Sequence, residues 1–447
     1  MTLSNKALCT TAIAFYAIAA TAQNGINSPY SRYGFGMMSD RAMGFNKAMG
    51  GVGLGFRNGQ EINTSNPASY SAVDSLTALI DLGFSIHNAN LKMDNLQQNV
   101  KNSSFDYAAF QFRAASGVGV TFGILPFTNI NYSFSSSSSE IDNDITYSQK
   151  FTGDGGLHQV FLGGGWRIFK PLSIGLNASY LYGTYNHGMT LSYSESSIYS
   201  LKRSYTADIS TYMLDFGLQY DIKLSKKDKL TLGLTYSLGH DVNNDAYRYT
   251  QTINSGNTLE GENIDTIKNA FQLPHSFGAG ITYYHGTKLR LGADFTLQKW
   301  SDAKFPSQNM NSNDGTYVSE KGQLNDCMKI AVGGDYIPNA NGKSYFSRIA
   351  YKFGGYYSTS YAKADITGTV DSKPYEYGLS AGVSLPITNR NIWHNSPKIN
   401  ISVQWVHSNI PYLSSFTNKK ANLIENYFRF SLGLTFSERW FYKWKVQ

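Results

Sequence analysis

The sequence predicts an all-β fold: a transmembrane antiparallel β-barrel of about 14 strands with a small N-terminal hatch, or plug. Three observations lead there. The chain opens with the features of a secretory leader. Segment after segment then alternates apolar and polar side chains with a period of two, the pattern of strands with two different faces. Short and long connections between those segments follow one another in turn, as they do in bacterial outer-membrane barrels.

The leader comes first. Lys6 precedes an apolar run from Ala7 to Ala20 that only Thr10 and Thr11 interrupt, and Ala20-Thr21-Ala22 has the small-x-small form that signal peptidase cleaves. A helix needs roughly 18 to 20 apolar residues to span a bilayer, so this run reads as a signal and not as an anchor. Residues 1–22 are expected to be removed, leaving a mature chain that begins near Gln23. A lipoprotein reading of Cys9 requires small residues just before it, and Leu8 stands there instead. Cleavage takes Cys9 away and leaves Cys327 alone, so no intramolecular disulfide is expected.

No later window holds a helix-length apolar run, and the mean hydropathy is negative. Both exclude a helical membrane protein without touching a barrel, whose lipid-facing and lumen-facing side chains average out. Aromatic residues form 14% of the chain, with 32 Tyr and 26 Phe, enough to furnish two interfacial girdles. The formal charge of +7, or +6 once Lys6 leaves with the leader, is mild over this length. Solvated loops account for it, and no nucleic-acid partner is expected.

Periodicity supplies the strands. Leu289, Leu291, Ala293, Phe295 and Leu297 alternate with Arg290, Gly292, Asp294 and Thr296. Leu230, Leu232, Leu234, Tyr236 and Leu238 do the same against Thr231, Gly233, Thr235 and Ser237, as do Phe428, Phe430, Leu432, Leu434 and Phe436 against Arg429, Ser431, Gly433 and Thr435. The alternation places strands near 74–88, 104–115, 117–135, 156–169, 171–186, 203–225, 228–248, 275–286, 288–301, 326–337, 345–361, 375–387, 398–408 and 426–437. Turns of a few residues at Ser116, Lys170-Pro171, Lys226-Lys227 and Gly286-Thr287 alternate with long connections at Ser136 to Gly155, His187 to Lys202, Tyr249 to Pro274, Asp302 to Asn325 and Ala362 to Pro374. The connection from Pro386 to Pro397 is longer than the rule prefers. An even strand count puts both termini in the periplasm of an outer-membrane protein. A soluble β-sandwich tolerates alternation, but does not need a second apolar face on nearly every strand.

Ahead of the first strand, residues 23–72 have another texture, with Gly34, Gly36, Gly44, Gly50, Gly51, Gly53, Gly55 and Gly59 crowded into a stretch without sustained alternation. It reads as a hatch that turns tightly and packs closely. The barrel is then 73–437, followed by a tail, 438–447, rich in Trp440, Phe441, Tyr442 and Trp444 with Arg439, Lys443 and Lys445. That tail suits an interfacial aromatic belt, with a partner-binding role as the alternative.

Ala48-Met49-Gly50-Gly51, leading to Asn66-Pro67-Ala68 just ahead of the first strand, resembles the hatch of the FadL/TodX family of outer-membrane transporters for long-chain fatty acids and other hydrophobic compounds. Leu273-Pro274-His275-Ser276-Phe277 running to Lys299-Trp300-Ser301, and Lys329-Ile330-Ala331-Val332-Gly333, resemble its middle strands. The resemblance spans the mature chain but departs at its end, where eleven residues follow Phe436 instead of a terminal aromatic. It implies passive uptake of fatty acids or other hydrophobic compounds. In some members, release runs sideways through a kinked third strand.

The residues bear on that implication. Pro126 cannot donate a ladder hydrogen bond in the third strand, so it marks either a kink or an ordinary strand end. Leu79, Leu125, Phe127, Phe161 and Met213 point inward by the alternation, and are either a greasy ligand path or packing for the hatch. No cofactor, metal or catalytic group is expected. His394-Asn395-Ser396 has the spacing of a His/Ser pair on one strand face, yet Pro397 places it in a turn, and His407-Ser408 are adjacent. No HExxH or paired-His spacing occurs. Because barrels resembling this family also serve secretion systems as scaffolds or shuttles, a periplasmic or surface protein partner is the alternative to small-molecule uptake.

Overall fold

The computed structural model describes residues 28–93, 96–137, 145–256, 258–308, 317–363, 374–387, 397–413 and 420–439. The expected leader, the His394-Asn395-Ser396 triplet and the tail from 440 lie outside the described residues.

Fourteen antiparallel strands close on themselves. They are β1 Thr77–Met93, β2 Leu96–Ala115, β3 in two pieces (Val118–Pro126 and Thr128–Ser137), β4 Tyr147–Arg167, β5 Leu172–Tyr193, β6 Ser200–Lys223 and β7 Asp228–Ser237. The circuit continues through β8 Ser276–His285, β9 Leu289–Gln298, β10 Cys327–Tyr336, β11 Ala350–Thr359, β12 Tyr375–Pro386, β13 Lys398–Leu413 and β14 Lys420–Arg439. Closure is the ladder between β1 and β14, in register from Thr77↔Arg439 to Met93↔Leu423. A closed ladder leaves no edge, which is the condition for strands to cross a bilayer.

The predicted alternation sets the two faces. Leu232 and Leu234 of β7, Leu291 and Phe295 of β9, and Phe428, Phe430 and Leu432 of β14 are exposed on the outside. Gln219, Thr231, Thr282, Asp335 and Asn400 are buried on the inside. Large apolar side chains outside and polar ones inside invert the distribution of a soluble protein and match a wall that faces lipid.

The strands run further than the alternation indicated. The segment expected as a loop from His187 to Lys202 still carries ladder pairs, Tyr147↔Tyr193 and Leu191↔Leu201 among them. The stretch from Tyr249 contains a hairpin of Ala246–Ile253 and Leu259–Ile267 whose first strand pairs back onto β6. Past the bilayer, both faces of a strand meet water, so the apolar phase that signals a strand disappears while the backbone ladder continues.

Residues 28–73 form an inner segment. Its 3-10 turn Pro67–Ala72 touches β3, β4, β5 and β6, whereas its turn Lys47–Met49 touches β10 to β13 on the other side of the circuit. Only a chain inside the barrel reaches both walls. Glycines make the approach possible: a Cβ on Gly175 or Gly217 would come closer than 3.0 Å to Pro67, one on Gly233 to Leu54, and one on Gly333 or Gly354 to Met49. Ion pairs fasten the same segment to the wall. Glu61 meets Arg290 at 2.8 Å and Lys398 at 3.3 Å, and Arg290 is also paired with Asp335. Burial by itself pushes the Glu61 carboxyl upward, but Arg290, Lys398 and Lys352 together outweigh it and hold it well below the usual range.

Candidate functional site

Two packed cores divide the lumen. Toward the short turns, Met43, Phe45, Met49, Phe56 and Ile62 of the inner segment pack against the wall. Toward the long connections, Phe35 is 1% exposed. Its ring centroid lies 5.4 Å from that of Phe271, 5.8 Å from Trp300 and 5.0 Å from Phe305. Between the cores lies a chamber of about 360 Å3.

Part of the chamber's lining is charged. Asp40 of the inner segment sits 4.0 Å from Lys329 of β10 and 3.7 Å from Arg429 of β14. Arg41 bonds Asp215 at 2.7 Å, and Lys47 is paired with Asp106. Burial alone pushes the Asp40 carboxyl up, but Lys329, Arg429 and Lys47 outweigh it and keep it below its ordinary value. The two cations also lie over aromatic rings, Lys329 at 4.6 Å from the Tyr356 centroid and Arg429 at 5.5 Å from that of Tyr427. Apolar side chains line the chamber as well, those of Met37, Met38, Phe127, Tyr361 and Ile410.

Beside Phe127 the wall itself changes. The ladder between β2 and β3 runs from Ala115↔Val118 only as far as Ala108↔Ile124. At Pro126 the strand ends, Phe127 donates its N–H to the Leu157 carbonyl at 2.7 Å, and the second piece of β3 begins at Thr128. Among the described residues, Leu96–Tyr107 of β2 pairs only with β1. The edge of β3 that β2 leaves is taken by the inner segment: Met37 and Met38 pair with Asn129 and Thr128, and Ser28 donates to the Asn131 carbonyl at 3.0 Å. Ser104, Phe105 and Asp106 of β2 line the chamber together with Pro126, Phe127 and Asn129 of β3. The chamber therefore reaches the wall where two neighbouring strands part.

Of the inward residues singled out from the alternation, Phe127 lines the chamber, next to Pro126. Leu79, Leu125 and Phe161 are buried among the inner segment's own side chains, and Met213 is buried elsewhere on the inner face of β6. Asn66 is fully buried. Its side chain accepts from the N–H of Ala68 at 3.1 Å and donates to the carbonyls of Leu54 at 2.9 Å and Leu218 at 3.2 Å, so it caps one turn and stitches it to β6. Pro67 presses on Gly175 and Gly217, and Ala68 is buried beside it. The charged part of the lining was not picked out from the sequence. Lys329 and Arg429 at inward positions of otherwise alternating strands were the available signal. Among the described residues, no group of three His, Cys, Asp or Glu could hold a metal ion.

A family model described as BamG matches residues 5–447. No curated protein matches the sequence. Among solved structures, a FadL homologue of Pseudomonas aeruginosa aligns over 91% of this chain and 100% of its own, with a TM-score of 0.62 and 12% identity. The toluene transporter TodX of Pseudomonas putida aligns over 91% and 100%, with a TM-score of 0.58 and 13% identity. The toluene transporter TbuX of Ralstonia pickettii aligns over 91% and 99%, with a TM-score of 0.56 and 15% identity. At these identities the likeness is one of fold.

Proposed function

The chain belongs to the BamG family, and from that premise together with its chamber we propose that it is a non-catalytic outer-membrane barrel for passive uptake of hydrophobic compounds that carry a polar end, long-chain fatty acids among them. One observation supports this reading above the others: a chamber lined by both apolar and charged side chains meets the wall at the bend of β3. Methylenes of a ligand lie against Met38 and Phe127, each buried one contributing about 0.8 kcal/mol. A carboxylate would compete with Asp40 for Lys329 and Arg429. The inner segment acts as the plug, and its Met37–Met38 pairing closes the side exit until it shifts. The short turns and both termini face the periplasm.

A second reading is that the barrel is a scaffold for a protein secretion system. What favours it is the closure of the lumen on both sides of the chamber by packed cores. Native purification followed by mass spectrometry separates the two. Fatty acid or lipid in stoichiometric amount, displaced by a fluorescent fatty-acid analogue, supports uptake. A ligand-free barrel that carries a stoichiometric protein partner and does not bind the analogue overturns it.

A further inference from the structure

At the end nearest the short turns, strands β6 to β11 carry one cross-strand row on their inward faces. It runs Lys223↔Lys229↔Tyr284↔Arg290↔Asp335↔Lys352, each residue directly opposite the next. Arg167 of β4 shares the inward phase, since it pairs with Ser173, which is fully buried. These cations line the mouth of the lumen, and lipid headgroups lie on the other side of the wall.

The row is balanced at one end and not at the other. Arg290 is paired with Asp335 and Glu61, Lys398 with Glu61, and Lys352 donates to the Phe45 carbonyl. Under β4 to β7, in contrast, Arg57 and Lys229 share Asp221 at 3.7 and 3.5 Å, and among the described residues Arg167 and Lys223 have no ion-pair partner. Four cations thus stand with a single ion-paired carboxylate. Lys223 is directly opposite Lys229, an arrangement of like charges that costs stability. Burial draws the Arg57 guanidinium below its usual value; Asp221 opposes that, and Arg167 adds to it. The neighbouring Asp228 does not compensate the group, being held by His285, Tyr283 and Ser225. The positive charge continues onto three adjacent short turns, with Lys170 between β4 and β5, Lys226 and Lys227 between β6 and β7, and Lys288 between β8 and β9, all exposed. A mouth of one sign between low-dielectric walls focuses its field into the water in front of it. A single small anion would meet only part of a surface that extends over three turns.

We propose that this basic mouth and rim are the docking face for an acidic soluble protein, which lays a carboxylate-rich segment along Arg167, Lys223 and Lys229. On the orientation given above, that partner arrives from the periplasm. A fluorescein-labelled decaglutamate peptide is the probe, titrated with the full-length barrel in non-ionic detergent and followed by fluorescence anisotropy. Saturable binding of one peptide per barrel, weakened severalfold by physiological salt, is expected. Arg167→Gln with Lys223→Gln, both at exposed positions, should weaken it by about tenfold. Lys92→Gln with Lys101→Gln removes the same charge from exposed positions at the other end of the barrel and should leave it unchanged. Arg167→Glu with Lys223→Glu should lose decaglutamate and gain decalysine, an exchange that a misfolded barrel does not produce; heat-modifiable migration checks each variant. No saturable binding overturns the proposal, and so does an equal loss in the two glutamine pairs. Displacement of the peptide by phosphatidylglycerol in mixed micelles also overturns it, since the face would then belong to lipid. Neither a fatty-acid analogue nor membrane orientation enters the measurement, so its failure is separate from a failure of uptake.

Discussion

Ser39 donates its backbone N–H to the carbonyl of Phe127 at 2.9 Å, so the inner segment and the bend of β3 form one hydrogen-bonded unit. Because that bond lies one residue beyond the Met38↔Thr128 pair, Met38 and Thr128 are a non-hydrogen-bonded antiparallel pair. The seam between β2 and β3 is thus closed by a piece of chain that also borders the chamber.

Pairs of that kind hold their Cα atoms about 4.5 Å apart, within the window of roughly 4.4–6.8 Å that a disulfide needs. Met38→Cys with Thr128→Cys, in a Cys327→Ser background, should cross-link on oxidation. The bond should abolish uptake of a fluorescent fatty-acid analogue, and reductant should restore it. A fully formed cross-link that leaves uptake unchanged would exclude a sideways route at this seam.

Phe127→Asp should weaken binding of the same analogue far more than Thr296→Asp, which also lines the chamber. Loss of dry contact for three or four methylenes is worth roughly 2–3 kcal/mol, on the order of a hundredfold in affinity. Titration of detergent-solubilised, heat-modifiable barrels measures both. Equal affinities for the two variants would remove the apolar lining from the site.

Glu61 and Arg290 form a buried pair with side chains 5% and 12% exposed. Removing one partner of such a pair costs about 3–5 kcal/mol. Glu61→Gln should therefore loosen the inner segment while the barrel stays closed, visible as faster proteolysis of residues 28–73. Acid should do the same to the unaltered protein. A carboxylate held low in the folded state contributes stability that is complete above its unfolded pKa, about 4.3, and is lost as the pH falls through its folded value. Protection should stay level from neutral pH down to about 5 and fail only in stronger acid. A loss of protection near neutrality would assign the lock to another group.

Gly333 and Gly217 face the inner segment, and a side chain there would collide with Met49 or Pro67. Gly333→Val and Gly217→Leu should leave barrels that insert and show heat-modifiable migration, yet conduct small ions in planar bilayers because the segment no longer seats. The outward Gly164→Leu should not conduct. Similar conductance in all three would mean that the glycine belt is not what admits the segment.

The two-residue alternation was enough to set the fold class, the strand count and the lipid face, because a bilayer imposes its demand residue by residue along each strand. Leu291 and Phe295 face lipid as their phase required. Asn66-Pro67-Ala68 was legible only through its resemblance to a family hatch, and Pro126 as either a kink or a strand end, since a missing donor acts locally. The alternation did not carry the strands beyond the bilayer, where nothing local distinguishes a ladder from a loop. The chamber belonged to the tertiary structure alone. Asp40, Lys329 and Arg429 are ordinary charged residues far apart in the chain until closure of β1 on β14 and entry of the inner segment bring them within 4.0 Å. Whether an inward apolar residue lines a path or packs a plug was likewise undecidable from phase. Leu125 and Phe127 share one phase, and only the position of the inner segment places Leu125 in a packed core and Phe127 at the chamber.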